Sequence, residues 1–188
     1  MTPEPLNSPE PLRWRRYAGI YGSLWRTALV RDMGDGFAAV LQEAGYAGGA
    51  PVFEAFREWC AAKGLDAPES LALSRFQSAA TQFFAEAGWG SATISPIGDT
   101  AVAFDSADWS EGDAAAAMPY PSCYYSAGML ADFFGRIADG QLGSMEVECR
   151  SNGGDRCRFL LGSPEVLGHV YKRLTEGVGY SAALTELG

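Results

Sequence analysis

The sequence predicts an α+β domain in which an antiparallel sheet, built from hairpins, packs with helices. Two observations predict this class. Apolar residues recur at helical spacing through the first half of the chain, and alternating β-prone segments bounded by turn-forming residues follow in the second half. The resulting order is helices, hairpin, helix, hairpin and helix, which is typical of an α+β domain with antiparallel strands.

Length and charge limit the classes of function. The chain of 188 residues is long enough to bury the core of one domain. Its net charge of −9, from 14 basic and 23 acidic residues, opposes direct binding to a nucleic-acid backbone. No apolar run reaches the roughly 18 residues of a membrane span, and the N-terminus lacks the pattern of a secretory signal. We therefore expect a cytoplasmic protein without a membrane span.

The N-terminal half is predicted to be helical. Residues 1–11 contain three prolines and are expected to form a flexible tail, and residues 12–188 are expected to form a single domain whose helical part ends at residue 90. The basic cluster Arg13–Arg16 is interpreted as a solvated helix face, with contact to an acidic ligand group as the alternative. Glycines separate the predicted helices, which cover residues 12–45, 50–63 and 69–87.

Residues 91–188 are predicted to form a hairpin, a helix, a second hairpin and a C-terminal helix. Ser163 and Pro164 mark the start of that last helix, as the N-cap and the first helical residue. The acidic residues of the loop region are interpreted as a solvated rim: Asp99, Asp105, Asp108, Glu111 and Asp113. The predicted strands and the helix between them cover residues 92–96, 100–104, 123–138, 143–150 and 156–161.

The cysteines indicate where chemistry is concentrated. Cys60 lies within a predicted apolar helix and is interpreted as a small buried residue. Cys149 and Cys157 flank a turn-rich segment, so strand pairing would bring them together, and Cys123 opens the preceding helix. With Glu146 they make a plausible set of four zinc ligands. From the spacing alone, a metal site and three ordinary buried cysteines are both open interpretations.

The proposed ligand set makes two structural demands. On a regular strand Glu146 and Cys149 would point to opposite faces, so both can bind one metal only if the strand ends, twists or bulges near Glu148. Three thiolates and a carboxylate around a divalent ion leave net negative charge, which calls for nearby cations. We expect some of three neighbouring guanidinium groups to donate to the ligands, those of Arg150, Arg156 and Arg158.

Three ordered segments carry a family resemblance. They are Tyr120–Arg136 (YPSCYYSAGMLADFFGR), Glu146–Cys149 (EVEC) and Gly153–Phe159 (GGDRCRF). Together they resemble the 4-vinyl-reductase-type ligand-binding domain. That domain is the sensory module of phenol- and toluene-responsive bacterial activators and occurs in a bacteriochlorophyll-biosynthesis protein. The resemblance covers about the last 70 residues, whereas the first 100 match only in helical character.

The resemblance implies a zinc site, a fold and a tendency to form homodimers. Its zinc ligands fall on Cys123, Glu146, Cys149 and Cys157, with Glu148 as the alternative carboxylate. A zinc with four protein ligands is structural, because no coordination position is open to substrate. The implied fold is the one shared by NO-sensing and Golgi-transport proteins. The chain departs from the phenol sensors in having no histidine where they place their ligand-binding histidine, so phenol itself is not predicted.

The function expected from these features is a zinc-containing sensor or carrier of a small hydrophobic or aromatic molecule. The alternatives are an accessory or carrier protein in tetrapyrrole biosynthesis and a dimeric adaptor without a ligand. No nicotinamide or flavin motif and no catalytic residue is recognised, so a reductase activity is not predicted. By resemblance, the ligand pocket lies between helices and sheet, above the metal. Its candidate walls are aromatic: Phe83, Phe84, Phe104, Trp109, Tyr120, Tyr124 and Tyr125.

Overall fold

The computed structural model describes residues 28–138 and 140–188. The predicted tail at residues 1–11, the start of the predicted helix over 12–45 and the basic cluster Arg13–Arg16 lie outside the described residues. Within them, residues 28–33 are helical and a 3₁₀ turn follows at Gly34–Gly36.

Five helices and four strands follow this turn, in the order predicted. The helices are α1 (Phe37–Ala62), α2 (Leu73–Glu86), α3 (Tyr124–Gly135), α4 (Pro164–Thr175) and α5 (Tyr180–Thr185). The strands are β1 (Thr93–Ile97), β2 (Ala101–Ser106), β3 (Gly143–Glu148) and β4 (Cys157–Gly162). The predicted α+β class is confirmed. The predicted N-cap is also present, since Ser163 Oγ accepts a hydrogen bond from the Val166 amide at 3.2 Å.

Helix α1 corrects one prediction. The sequence predicts a break between residues 45 and 50, yet α1 runs without interruption through Gly45, Gly49 and Pro51. The reason is tertiary. A Cβ atom at Gly45 would lie 2.0 Å from the Tyr125 carbonyl oxygen, and one at Gly49 would lie 2.5 Å from Asp132 Cβ. These glycines therefore permit α3 to pack closely along α1, and this packing outweighs their low helix propensity.

All four strands pair antiparallel in the order β1-β2-β4-β3. Both predicted hairpins are present, and β2 and β4 form the central pair although 50 residues separate Ser106 from Cys157, their partners in register. Strand β3 therefore lies at an edge of the sheet, next to β4.

The sheet separates two cores. One face carries an aromatic core shared with α1, α2 and α3, in which Phe104 and Phe159 are fully buried. The other face packs against α4 and α5, where Leu160 and Val170 are buried. Phe159 and Leu160 are neighbours on β4 and point to opposite faces, as strand geometry requires. None of the described helices combines the length and the apolar character needed to cross a membrane.

Candidate metal centre and adjoining groove

Three thiols and one carboxylate converge at the end of the β3–β4 hairpin. The donor atoms of Cys123, Glu146, Cys149 and Cys157 all lie within 4.8 Å of one another. Cys123 Sγ is 3.7 Å from Cys149 Sγ and 3.8 Å from Cys157 Sγ. The three cysteines are fully buried. The structure thus brings together the four residues that the sequence analysis selected.

A β-bulge in β3 places two of these residues on one face. Glu146 pairs with Phe159, whereas Glu148 pairs with Arg158, so β3 has one residue more than β4 across this interval. Val147 and Glu148 consequently both face α4 and α5, while Glu146 and Cys149 face the cluster. The expected bulge near Glu148 is confirmed.

Backbone amides support the donor atoms. The Cys123 amide donates to Glu146 Oε2 at 2.8 Å, and the Ser151 amide donates to Cys149 Sγ at 3.3 Å. Glu146 Oε1 is buried and has no hydrogen-bond partner among the described residues. An unpaired buried carboxylate oxygen is costly, and a bound cation would satisfy it.

Without a metal, the cluster holds protons. Burial, reinforced by the charge of Cys149, raises the pKa of Glu146 to about 8. The pKa of Cys123 lies well above its usual value because its thiol donates to Cys149 and Cys157. The pKa of Cys149 is lowered, since its sulfur accepts hydrogen bonds from the other two cysteines. Four negative charges therefore do not coexist here unless a cation neutralises them.

The donor set fits zinc. Three sulfurs and one oxygen, within reach of a common centre, match the preference of Zn²⁺ for four-coordinate sites rich in thiolate. Such an ion would tie the start of α3 to both strands of the β3–β4 hairpin. It would also neutralise the thiolates and partner Glu146 Oε1.

Zinc uptake should release protons, and the number should fall with rising pH. At pH 7, Glu146 and the raised thiols of Cys123 and Cys157 hold about three protons that the metal must displace. We expect zinc affinity to increase as the pH rises from 6 to 8. Calorimetric titrations in two buffers of different ionisation enthalpy would count the protons. Release of no proton at pH 6 would contradict this protonation state.

The expected guanidinium contacts are wrong. Within residues 28–138 and 140–188, Arg150 donates to the Gly112 carbonyl at 3.2 Å, Arg156 to Glu148 at 2.7 Å and Arg158 to Asp105 at 2.6 Å. The amides described above take the role that the prediction gave to these side chains. The bulge turns Glu148 away from the cluster, where it also accepts from the Tyr180 hydroxyl. Glu148 is therefore excluded as the alternative carboxylate ligand.

The interpretation of an acidic rim is also wrong in part. Glu111 accepts hydrogen bonds from the Tyr125 and Ser126 amides, at 3.2 and 2.7 Å, and so caps the helix that Cys123 precedes. Asp108 accepts from the Ser91 amide at 2.7 Å. These carboxylates are structural because free amides at helix ends and turns need acceptors.

Loss of the Glu111 cap should weaken α3 at the metal centre. We expect Glu111→Ala to lower the free energy of unfolding by about 1–2 kcal/mol, the usual range for removal of an N-cap. Asp99→Ala is the control, since Asp99 is an exposed residue of the β1–β2 turn and should change stability by less than about 0.5 kcal/mol. Urea denaturation would compare the two variants, and equal midpoints would refute the role of the cap.

A groove of about 1290 Å³ adjoins the cluster. It runs between α1, α3, β3 and α4, and Cys123 and Glu146 form part of its lining. Tyr46 of α1 and Tyr171 of α4 also line it. Sequence reasoning missed both tyrosines because they are exposed, lie 125 positions apart and belong to no local motif.

The seven predicted ligand-contacting residues fall into two groups. Tyr120 and Tyr124 line the groove. Tyr125 instead stacks on Trp89. The other four belong to the aromatic core and pack on one another: Phe83, Phe84, Phe104 and Trp109.

Comparison with protein-family models identifies the segment around the cluster. Residues 108–163 match the 4-vinyl reductase (4VR) domain. The match contains all four donor residues and confirms the resemblance to the 4-vinyl-reductase-type family. No curated protein sequence matches the chain.

Solved structures share the fold of this chain with its 4VR segment. The phenol-responsive sensory domain of the transcription activator PoxR, solved with phenol, has a TM-score of 0.62 and 17% identity, covering 79% of this chain and 75% of that one. A trafficking protein particle complex subunit 3 from Naegleria fowleri, covalently bound to palmitic acid, has a TM-score of 0.60 and 16% identity, covering 81% and 96%. The predicted kinship with the Golgi-transport fold agrees with these two matches. A vinyl-4-reductase family protein from Methanocaldococcus jannaschii has a TM-score of 0.47 and 16% identity, covering 84% and 83%.

Proposed function

We propose that this chain is a zinc-containing sensor or carrier domain for a small hydrophobic or aromatic molecule. The observation that carries the proposal is the buried set of three cysteines and Glu146 in a 4VR segment, beside a groove large enough for a ligand. The PoxR sensory domain, which shares the fold, was solved with phenol. In this proposal Cys123, Glu146, Cys149 and Cys157 hold a structural zinc.

The proposed role of the metal is mechanical. Because four protein donors complete a tetrahedral shell, the ion has no position for substrate and performs no catalytic step. It holds Cys123 at the start of α3 against Cys149 and Cys157 of the hairpin. The groove wall formed by α3 and β3 therefore keeps its shape while a ligand enters or leaves.

Native mass spectrometry of the untagged protein, with and without a chelator, tests the proposal. We expect one zinc per chain, lost on chelation, together with the mass of a co-purified small molecule in part of the sample. A protein that neither contains zinc nor takes it up when added would refute the metal assignment. Zinc-loaded protein that binds no hydrophobic probe would refute the ligand-binding role and favour the adaptor.

The predicted homodimer and the cytoplasmic location stay predictions. Sedimentation velocity over a hundredfold range of concentration checks the first. The carrier role in tetrapyrrole biosynthesis also stays open, and the absorbance spectrum of the purified protein checks it, because a bound tetrapyrrole absorbs visible light.

A further inference from the structure

We infer that the groove binds an electrically neutral, flat molecule of more than one ring, with hydroxyl or carbonyl groups at its edges. This inference rests on the proposed function and specifies its site and ligand class. It differs from the sequence prediction, which placed the ligand mainly among residues that the structure shows in the packed aromatic core.

The size of the groove favours more than one ring. Ligand sites usually measure roughly 300–1,000 Å³, and the groove, at about 1290 Å³, exceeds this range. A single ring would leave most of its wall in contact with water. Aliphatic residues contributed by β3, α4 and the segment before β3 supply an apolar surface, including Met145, Leu167 and Leu142.

Tyrosines border this surface on several sides. Tyr46 on α1, Tyr120 before α3 and Tyr171 on α4 all line the groove, and they are 56, 42 and 64% exposed. A tyrosine ring offers a flat apolar face and a hydroxyl that can donate or accept. Three such rings, from separate segments, suit a flat ligand whose apolar body carries polar groups at its edges.

The charge of the lining excludes an anionic ligand. The described residues that line the groove include two carboxylates, of Glu43 and Glu146, and no lysine, arginine or histidine. On α4, the nearby Arg173 pairs with Glu186 at 2.8 Å. A carboxylate or phosphate in the groove would lose hydration without gaining a cationic partner. Glu43 is exposed and remains hydrated, so the groove offers little gain to a cation either.

Two fluorescent probes with the same ring system test the charge preference on the zinc-loaded full chain. N-phenyl-1-naphthylamine is neutral, and 1-anilinonaphthalene-8-sulfonate adds one sulfonate to the same skeleton. We expect the neutral probe to bind at least about tenfold more tightly, which corresponds to about 1.4 kcal/mol. Tighter binding of the sulfonate would overturn the inference and favour an anionic ligand such as a fatty acid.

A groove-filling substitution tests the location. Gly168 lies on α4 in the groove lining, and a Cβ atom built there meets nothing within 4 Å. Gly168→Trp should therefore fill the groove without a clash and weaken binding of the neutral probe at least about tenfold. Gly179→Trp is the matched control, because Gly179 also has open space around it and lies outside the lining. Equal affinities in the two variants would overturn the site while leaving the proposed function intact.

A second pair of variants covers the case in which Gly168→Trp does not fold. Leu174 lines the groove and is 37% exposed, whereas Leu73 on α2 is 72% exposed and lies elsewhere. We expect Leu174→Ala to weaken the neutral probe about three- to tenfold, and Leu73→Ala to leave it unchanged. Loss of probe binding as the protein self-associates would overturn the inference, because a second copy would then occupy the groove. If neither probe binds and no small molecule co-purifies, the proposed function fails with it.

Discussion

Replacing Cys149 with serine should abolish zinc binding and lower the melting temperature by about 8–16 °C relative to the zinc-loaded protein. A metal present at about a thousandfold excess over its dissociation constant stabilises the folded state by about 4.1 kcal/mol. For a chain of this size, each kcal/mol shifts the melting temperature by about 2–4 °C. Cys149 is the donor around which the other two sulfurs are arranged, so its loss leaves only Cys123, Cys157 and Glu146.

The matched control is Cys60→Ala. Cys60 is also fully buried, but it lies on α1 in the aromatic core and is not part of the cluster. Its replacement should cost core packing while leaving one zinc per chain. Elemental analysis and calorimetry of both variants, with and without a chelator, separate the two effects. Equal zinc contents would show that the cluster is not the metal site.

Placing a methyl group at Gly128 should produce the second large loss of stability. A Cβ atom there would lie 2.0 Å from the Gln42 carbonyl oxygen and 2.7 Å from the Tyr46 amide nitrogen. Both obstacles are backbone atoms of α1, so they cannot rotate away and the two helices would have to separate. We expect Gly128→Ala to lower the free energy of unfolding by about 3 kcal/mol or more, at the upper end of overpacking costs.

Gly168→Ala is the control for this prediction. Gly168 is also inside a helix, but a methyl group there meets open space. Since alanine is the better helix former, we expect a gain of about 0.5–1 kcal/mol. Chemical denaturation compares the two variants. A neutral effect of Gly128→Ala would mean that α1 and α3 are not packed as closely as the structure shows.

Much of the β region and the cluster could be predicted from local sequence. Alternating residues and turn formers mark both hairpins, and the order of the motif residues marks Cys123, Glu146, Cys149 and Cys157. Strand parity even required the irregularity near Glu148, because the ligand spacing does not fit a regular ladder. These features depend on neighbours in sequence or on a single hairpin.

The remaining features depend on contacts between distant segments. A glycine ends an isolated helix, so the continuity of α1 through Gly45 follows only from its packing on α3. Glu111 caps a helix that begins 13 residues later, and no local signal marks it. The groove joins Tyr46 to Tyr171, which no local pattern relates. The arginine contacts failed for the same reason, since nearness in sequence does not fix the direction of a side chain.

The extra residue in β3 makes the site sensitive to sequence length as well as to sequence identity. Glu146 and Cys149 share a face because Val147 and Glu148 share the other one. Deleting either intervening residue would restore alternation, but the two ligands would then be two positions apart on a regular strand. A compact, unbulged relative could therefore hold a metal with spacing E-x-C, whereas an insertion that gives four positions would again require a straight strand. Among distant relatives, an insertion or deletion between these two ligands should come in step with the loss or gain of the bulge.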